Sequence, residues 1–155
     1  MTSTTPFAGG VRRGVRNVVE RTGERCVLDT NIVSYIMRGD TRATPYHDYL
    51  VGKQAGISFQ TVAELRRWAI EREWSPARQR ALAQQIEQFT IFFVDDAVIT
   101  AWAEITARLR QQGNPITDAD AWIAATAWVL KAPLVTHNRR HFERISGLQI
   151  ISLTI

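Results

Sequence analysis

The sequence is poor in cysteine and has no long apolar run. Cys26 is the only cysteine among 155 residues, which excludes an internal disulfide and a zinc site built on clustered cysteines. No apolar stretch approaches the roughly 20 residues needed to cross a bilayer, and the N-terminus lacks the apolar segment of a secretory signal. We therefore expect one compact cytoplasmic domain with no membrane association.

Lysine is nearly as scarce as cysteine. Lys53 and Lys131 are the only lysines, so arginine supplies most of the positive charge. Lysine and arginine together number 19 against 15 acidic residues, which gives a formal net charge of +4. Because the guanidinium group pairs well with phosphate, this balance favours a polyanionic partner without identifying one.

From residue 26 onward, segments with strand and helix patterns alternate along the chain. Short apolar strands are predicted at 26–29, 56–59, 91–94, 133–136 and 148–153. Helices are predicted at 31–38, 44–53, 61–73, 75–89, 97–113 and 118–131. Such alternation is typical of a parallel sheet wrapped by helices. Residues 1–25 fall outside this pattern and are predicted to be a flexible N-terminal extension.

Polar side chains lie just after the predicted strands or in the first turns of neighbouring helices, at the edge where parallel sheets form their sites. They are Asp29, Glu64, Asp118, Asp120, Thr136 and Asn138. Each acid taken singly is explained as a helix cap or a partner of the helix dipole. Carboxylates gathered at one edge would instead favour protonation unless a cation lay among them, and oxygen ligands suit Mg²⁺ or Mn²⁺. Asp29, Glu64 and Asp120 together favour a metal-dependent nuclease.

Packing is the main expectation for several other residues. Ile99, Trp102, Ile105 and Leu109 are predicted to form the buried face of helix 97–113. The sequence predicts that His141 and Phe142 pack locally rather than act in catalysis. Core or interface packing is also expected for the five tryptophans, although Trp122 follows Asp120 closely enough to border a site.

Three segments resemble the PIN-domain ribonucleases, and within them the VapC-type toxins of bacterial toxin–antitoxin pairs. The segments are VLDTNIVSYI, ISFQTVAELRRWA and PITDADAWIAATAWVLKAPLVTHNRRHFERISGLQI. The resemblance implies an α/β fold over residues 26–155, a Rossmann-like three-layer α/β/α PIN domain with a central, mostly parallel five-stranded sheet. It also implies an Mg²⁺- or Mn²⁺-dependent endoribonuclease that cleaves single-stranded regions of RNA by metal-activated water.

The resemblance assigns roles residue by residue. Asp29, Glu64 and Asp120 match the first three family acids and are the expected catalytic residues and metal ligands. Asn138 occupies the fourth position, where some members have aspartate, and an amide brings an oxygen but no charge. The supporting residues expected around these acids are Thr30, Asn31, Asp118, Thr136 and Asn138, and Asn31 is explained equally well as a plain helix cap. The residues expected to contact RNA phosphate are Arg139, Arg140 and Arg144.

Two protein partners follow from the same resemblance. One is a VapB-like antitoxin whose C-terminal segment covers the acidic cleft, and the other is a second copy of the chain. Dimer contacts are expected from the helices around residues 31–53 and 97–112. The missing fourth acid leaves an alternative open, namely a PIN-like module that binds RNA or protein without cleaving.

Two other classes fit poorly. A haloacid dehalogenase-type phosphatase needs a second aspartate where this chain has Asn31, and a dinucleotide-binding domain needs a glycine-rich turn after its first strand.

Overall fold

The structure is a computed structural model that describes residues 23–153 and the backbone of Val11 and Arg12. Its strands are β1 (Val11–Arg12), β2 (Arg25–Leu28), β3 (Gln54–Ser58), β4 (Thr90–Phe92), β5 (Leu134–Val135) and β6 (Ile150–Ile151). Its α-helices are α1 (Thr30–Arg38), α2 (Thr44–Leu50), α3 (Phe59–Glu71), α4 (Pro76–Ile86), α5 (Asp96–Gln111), α6 (Asp118–Leu130) and α7 (Arg139–Phe142). A short 3₁₀ turn, Thr41–Ala43, precedes α2. No helix in residues 23–153 has the length and apolarity to cross a membrane.

The strands form one sheet in the order β1-β4-β3-β2-β5-β6. From β4 to β6 all neighbours are parallel, and β1 adds a two-residue antiparallel pairing at the β4 edge. The prediction of a mostly parallel sheet with five strands in residues 26–155 is therefore confirmed. Apart from the backbone of β1, the extension predicted at 1–25 lies almost wholly outside the described residues, so its flexibility stays a prediction.

The order of the strands creates a switch point in the middle of the sheet. From β2 the chain builds outward through β3 to β4, and it then returns to place β5 and β6 on the other side of β2. Val27 and Leu28 pair with Leu134 and Val135, so the residues that follow these strands emerge side by side. Ligand sites of open parallel sheets form at this position.

Side chains alternate across the sheet and fill two separate cores. Val27 and Leu134 pack into the core beneath α5 and α6, whereas Cys26, Leu28 and Val135 pack into the core beneath the helices from α1 to α4. The sheet thus lies between two helical layers, as the three-layer prediction requires. Cys26 is fully buried in the second of these cores.

Several local predictions change in the structure, among them the start of α3 and the buried face of α5. Helix α3 begins two residues early because the Ser58 hydroxyl, at the end of β3, accepts a hydrogen bond from the Thr61 amide at 3.3 Å. The prediction that Ile99 is buried is wrong, since its side chain is 50% exposed. Helix α5 buries Val98, Ala101, Ile105 and Leu109. Successive residues of an α-helix are rotated by about 100° about the helix axis. A buried stripe that begins at Val98 therefore places the next residue, Ile99, toward solvent.

Candidate active site

Asp29 lies at the switch point and also caps helix α1. Its backbone amide donates to the Val135 carbonyl at 2.8 Å, which continues the β2–β5 pairing by one residue. Its Oδ1 accepts from the Thr30 amide at 2.7 Å, and its Oδ2 accepts from the Thr136 hydroxyl at 2.7 Å. The two explanations offered for this aspartate are therefore compatible, because one oxygen caps the helix while the other faces the strand-end loop.

Burial and neighbouring charge both act on Asp29. Its side chain is only 6% exposed, and desolvation is the main reason that its pKa is raised from 3.8 to about 6. The hydrogen bonds from Thr136 and Thr30 lower the pKa, whereas the charges of Asp120 and Glu64 raise it further. The repulsion shows that the three predicted acids come close enough to influence one another.

Glu64 lies in the second turn of α3 and is held by a chain of hydroxyl groups. Its Oε2 accepts from the Thr30 hydroxyl at 2.5 Å, and its Oε1 accepts from the Gln60 amide nitrogen at 3.3 Å. Because the Thr30 hydroxyl has a single proton and donates it to Glu64, Thr61 must be the donor in the 2.9 Å contact between the two threonines. Thr61 is fully buried, so this chain fixes Glu64 against the helix layer.

Asp120 enters the site from the first turn of α6. Its amide donates to the Thr117 hydroxyl, which caps the helix at 3.2 Å. Its Oδ2 lies 3.0 Å from His141 Nδ1. The prediction that His141 packs locally is therefore wrong, because the ring is more than half exposed and bonds to Asp120. Phe142, the next residue, is fully buried as predicted.

The loop after β5 carries the supporting contacts. Thr136 is fully buried, and besides donating to Asp29 its hydroxyl accepts from the Asn138 amide at 3.0 Å. Asn31 meets neither expectation, since its Oδ1 accepts from the His137 amide at 3.5 Å instead of contacting a carboxylate, and the N-cap of α1 is Asp29. It therefore steadies the loop rather than an acid.

The two remaining supporting candidates, Asp118 and Asn138, are exposed. The Asn138 side chain forms no hydrogen bond within the described part of the chain, although the residue stands at the N-cap of α7. Asp118 lies two positions before Asp120 in α6, and side chains with that spacing do not share a helix face.

Tyr46 is a buried member of the site's surroundings that the sequence did not reveal. Its hydroxyl lies 2.9 Å from His137 Nδ1, 3.3 Å from the Thr136 carbonyl and 3.0 Å from the Leu153 amide, which donates to it. The residue comes from the middle of α2, where no capping or motif signal marks it. Through these contacts α2 and the C-terminal segment support the loop that holds Asp29.

A divalent cation fits the chemistry of this donor set. Asp29, Glu64 and Asp120 offer only oxygen atoms, the ligand type that Mg²⁺ and Mn²⁺ prefer, and a cation would relieve the repulsion that raises the Asp29 pKa. Within residues 23–153, however, no three His, Cys, Asp or Glu side chains converge closely enough to hold one ion as they stand. Glu64 is bonded to Thr30 and Asp120 to His141, so joint ligation requires at least one of these acids to rotate or to bind through water.

The basic residues after β5 do not form a single cluster. Arg139 and Arg140 lie on α7 with His141, and the Arg139 guanidinium donates to the Ile150 carbonyl at 3.3 Å. Arg144 lines a separate small cleft beside Trp128, about 12 Å along α6 from Asp120. Its contact with phosphate at the acidic site therefore stays a prediction.

Trp122 lies two residues after Asp120 and packs as the sequence predicts. Its ring stacks on Trp102 at 4.9 Å and meets the edge of Phe59 at 5.4 Å. The pair thus forms part of the packing beneath the first turns of α6 and α3.

Comparison with known proteins agrees with this architecture. The PIN domain family model matches residues 26–148. Ribonuclease VapC1 of Haemophilus influenzae strain R2866 is 32% identical over 125 residues, which cover 79% of this chain and 93% of that protein. The tRNA(fMet)-specific endonuclease VapC of Shigella flexneri is 30% identical, with the same coverage of both chains.

Solved structures with the same fold include two toxin–antitoxin complexes. VapBC2 from Rickettsia felis, bound to a DNA fragment from its promoter, matches with a TM-score of 0.74 and 25% identity, over 84% of this chain and 99% of that one. VapBC-1 from nontypeable Haemophilus influenzae matches with a TM-score of 0.72 and 30% identity, over 83% and 97%.

Proposed function

Because this chain belongs to the PIN-domain family, we propose that it is a divalent-cation-dependent endoribonuclease of the VapC type that cleaves single-stranded regions of RNA. The similarity to the Haemophilus and Shigella VapC nucleases supports this activity. The observation that carries the proposal is Asp29, a carboxylate buried at the switch point whose pKa is raised to about 6 by burial and by two further acids.

In the proposed mechanism Asp29 and Asp120 hold Mg²⁺ or Mn²⁺ directly, and Glu64 holds it directly or through water. When bound, the ion neutralises charge on the phosphate under attack and activates water for hydrolysis. Thr136 and Thr30 orient the carboxylates of Asp29 and Glu64 through the hydrogen bonds described above, as supporting residues around metal ligands usually do.

The remaining side chains have accessory roles in this proposal. Asn138 and Asp118 are exposed beside the site and contribute through water, and Arg139 and Arg140 contact RNA phosphates. His141 is a positioning residue that holds Asp120 while no cation engages that carboxylate.

The proposal includes two protein partners and a cytoplasmic location. The neighbouring structures are complexes with antitoxins, which supports a VapB-like antitoxin as the inhibitor of this chain.

A homodimer is proposed as well. Val51 after α2 and Ile99 on α5 are 77% and 50% exposed, and both lie in the segments from which dimer contacts were predicted. Sedimentation of the antitoxin-free chain, with Val51→Ser and Ile99→Ser as variants, tests the dimer.

Cleavage of a mixed pool of single-stranded RNA tests the proposed activity. The pool is incubated with Mg²⁺, with Mn²⁺ and with EDTA, using the wild type, Asp29→Asn and Asp120→Asn. Asp96→Asn is the matched control because it removes an exposed carboxylate from the start of α5. We expect cutting that requires a cation, is lost in both site variants and persists in the control.

The same experiment addresses the alternative of a binding module that does not cleave. RNA binding by the folded, antitoxin-free wild type without cleavage under any condition would favour that module, and Asn138 would then be the first residue to examine. Cleavage that survives in Asp29→Asn and Asp120→Asn would show that the activity comes from elsewhere.

A further inference from the structure

A cleft of about 730 Å³ lies between α1, α3 and α4, and two of these helices, α1 and α3, also carry Thr30 and Glu64 of the acidic site. Glu64 and Trp68 on α3 and Arg72 at its C-cap follow one another at intervals of four, so they lie along one side of the helix. On α1 the residues Thr30, Ser34 and Arg38 do the same. Since Thr30 bonds to Glu64, the two rows begin together and each ends at an arginine about 12 Å away.

The far end of the cleft combines indole rings with guanidinium groups. Trp74 and Arg78 come from the turn after α3 and the first turns of α4, and the Arg78 guanidinium lies 4.0 Å from the centre of the Trp74 ring. Arg72 lies 5.5 Å from the centre of the Trp68 ring. Both tryptophans are partly exposed and line the cleft.

The charge of the cleft has one sign. Three arginines and no acidic residue line it. Within residues 23–153 none of Arg38, Arg72 and Arg78 forms an ion pair with a carboxylate, whereas Arg42 and Arg67 do. The cleft therefore offers three guanidinium groups without a direct ion pair, and Arg38 and Arg72 lie about two helical turns beyond Thr30 and Glu64. The charge of Arg38 also acts on the carboxyl group of Asp40.

We propose that this cleft, defined by Arg38, Arg72, Arg78, Trp68 and Trp74, holds the single-stranded RNA that flanks the scissile phosphate. The inference rests on the proposed ribonuclease function. Guanidinium groups neutralise phosphates, and bases stack on tryptophan rings without strong sequence preference. The charge of the cleft and its position beside the acids favour RNA, and an acidic protein segment that pairs with the same arginines is a separate outcome of the test below.

RNA binding measured without cleavage tests this proposal. Fluorescence anisotropy follows a labelled single-stranded RNA on Asp29→Asn protein, alone and combined with Arg72→Gln and Arg78→Gln. The matched control combines Asp29→Asn with Arg80→Gln and Arg110→Gln, which removes the same charge from exposed positions outside the cleft. We expect the cleft variant to bind at least about tenfold more weakly than the control. For the cleft variant, the slope of log affinity against log salt concentration should become less negative by about 0.7 for each lost phosphate contact.

Kinetics of the cleavage-competent protein supply a second readout. Arg72→Gln/Arg78→Gln should raise KM for a long RNA and leave kcat nearly unchanged, while an RNA too short to enter the cleft should be cleaved as by the wild type. The arginines are exposed, so both variants should stay folded, which circular dichroism checks.

Three results would overturn the proposal in distinguishable ways. Wild-type RNA cleavage with equal RNA affinity in the cleft and control variants would exclude the cleft and leave the proposed function intact. Loss of affinity for the antitoxin with RNA affinity unchanged would assign the cleft to that partner instead. Absence of both RNA binding and cleavage in the folded, antitoxin-free wild type would refute the proposed function and the cleft together.

Discussion

Replacing Asp29 with asparagine should stabilise the cation-free protein near neutral pH, although the residue is the proposed centre of the site. The carboxylate is 6% exposed and faces the charges of Asp120 and Glu64. Ionising it in the folded chain therefore costs more than ionising it in the unfolded chain. Asparagine at position 29 keeps an oxygen that can cap α1 but carries no charge.

The raised pKa gives the size and the sign of this effect. The pKa of Asp29 rises from 3.8 to about 6 on folding, so the folded state binds the proton more tightly than the unfolded state. The resulting stabilisation is fully present below about pH 4 and is lost as the pH rises through 6. At about 1.4 kcal/mol for each tenfold change in proton affinity, the loss amounts to roughly 3 kcal/mol. Asparagine does not titrate, so it avoids this loss.

Urea denaturation in EDTA, followed by circular dichroism from pH 4 to pH 7.5, measures the effect. The free energy of unfolding of Asp29→Asn minus that of the wild type should increase by roughly 3 kcal/mol across this range, even if the altered hydrogen bonds shift both ends by about 1 kcal/mol. The exposed variant Asp96→Asn serves as the matched control. Saturating Mg²⁺ or Mn²⁺ should stabilise the wild type and not the variant. A difference that is flat with pH for Asp29→Asn would refute the electrostatic reasoning.

Three further substitutions probe other parts of the same structure. Thr136→Val keeps the shape but removes the donor to Asp29 and the acceptor of the Asn138 amide. The substitution should lower the free energy of unfolding by about 2 kcal/mol. It should also raise the Asp29 pKa above 6. As the pH is lowered, calorimetry should therefore show cation binding lost at a higher pH than in the wild type. Gly56→Ala would place its Cβ 2.0 Å from the buried Phe92 ring. It should destabilise the protein by about 1–3 kcal/mol in urea, with partial rescue by Phe92→Leu. Asn138→Asp adds a carboxylate after β5 and should tighten cation binding by about tenfold, and unchanged affinity would show that residue 138 does not reach the ion.

The sequence predicted those features that depend on residues close together in the chain. A short apolar strand followed directly by Asp29, and a helix that opens with Asp118 and Asp120, are local patterns, and the parallel topology then brings their ends to one edge. The pairing of β2 with β5 places Thr136 beside Asp29, which follows from strand order alone. The three-layer fold and the proximity of the principal acids were therefore predictable.

Features that depend on the path of a loop were not predictable in the same way. Whether Asn31 contacts a carboxylate or the His137 amide is decided by the turn after β5, and His141 meets Asp120 only because α7 folds back over the start of α6. Tyr46 is more distant still, since its partners lie about 90 or more positions away in the chain. The exposure of Ile99 depends on which residue begins the buried stripe of α5, a one-residue difference that periodicity does not resolve.

The charges of the molecule bear on the choice between a nuclease and a binding module. RNA is a polyanion, so a site with three carboxylates, one of them buried at a cost in stability, repels it unless a cation is present. A module that only bound RNA would bind better without those acids, and the hydroxyl groups of Thr30 and Thr136 would have no carboxylates to orient. The same carboxylates favour a nuclease, because with a divalent cation the site attracts a phosphate. The arginine-lined cleft beside it can then bind the flanking strand without opposing charge. The acidic site and the basic cleft are thus complementary in a cation-dependent ribonuclease, whereas in a simple RNA-binding module they would act against each other.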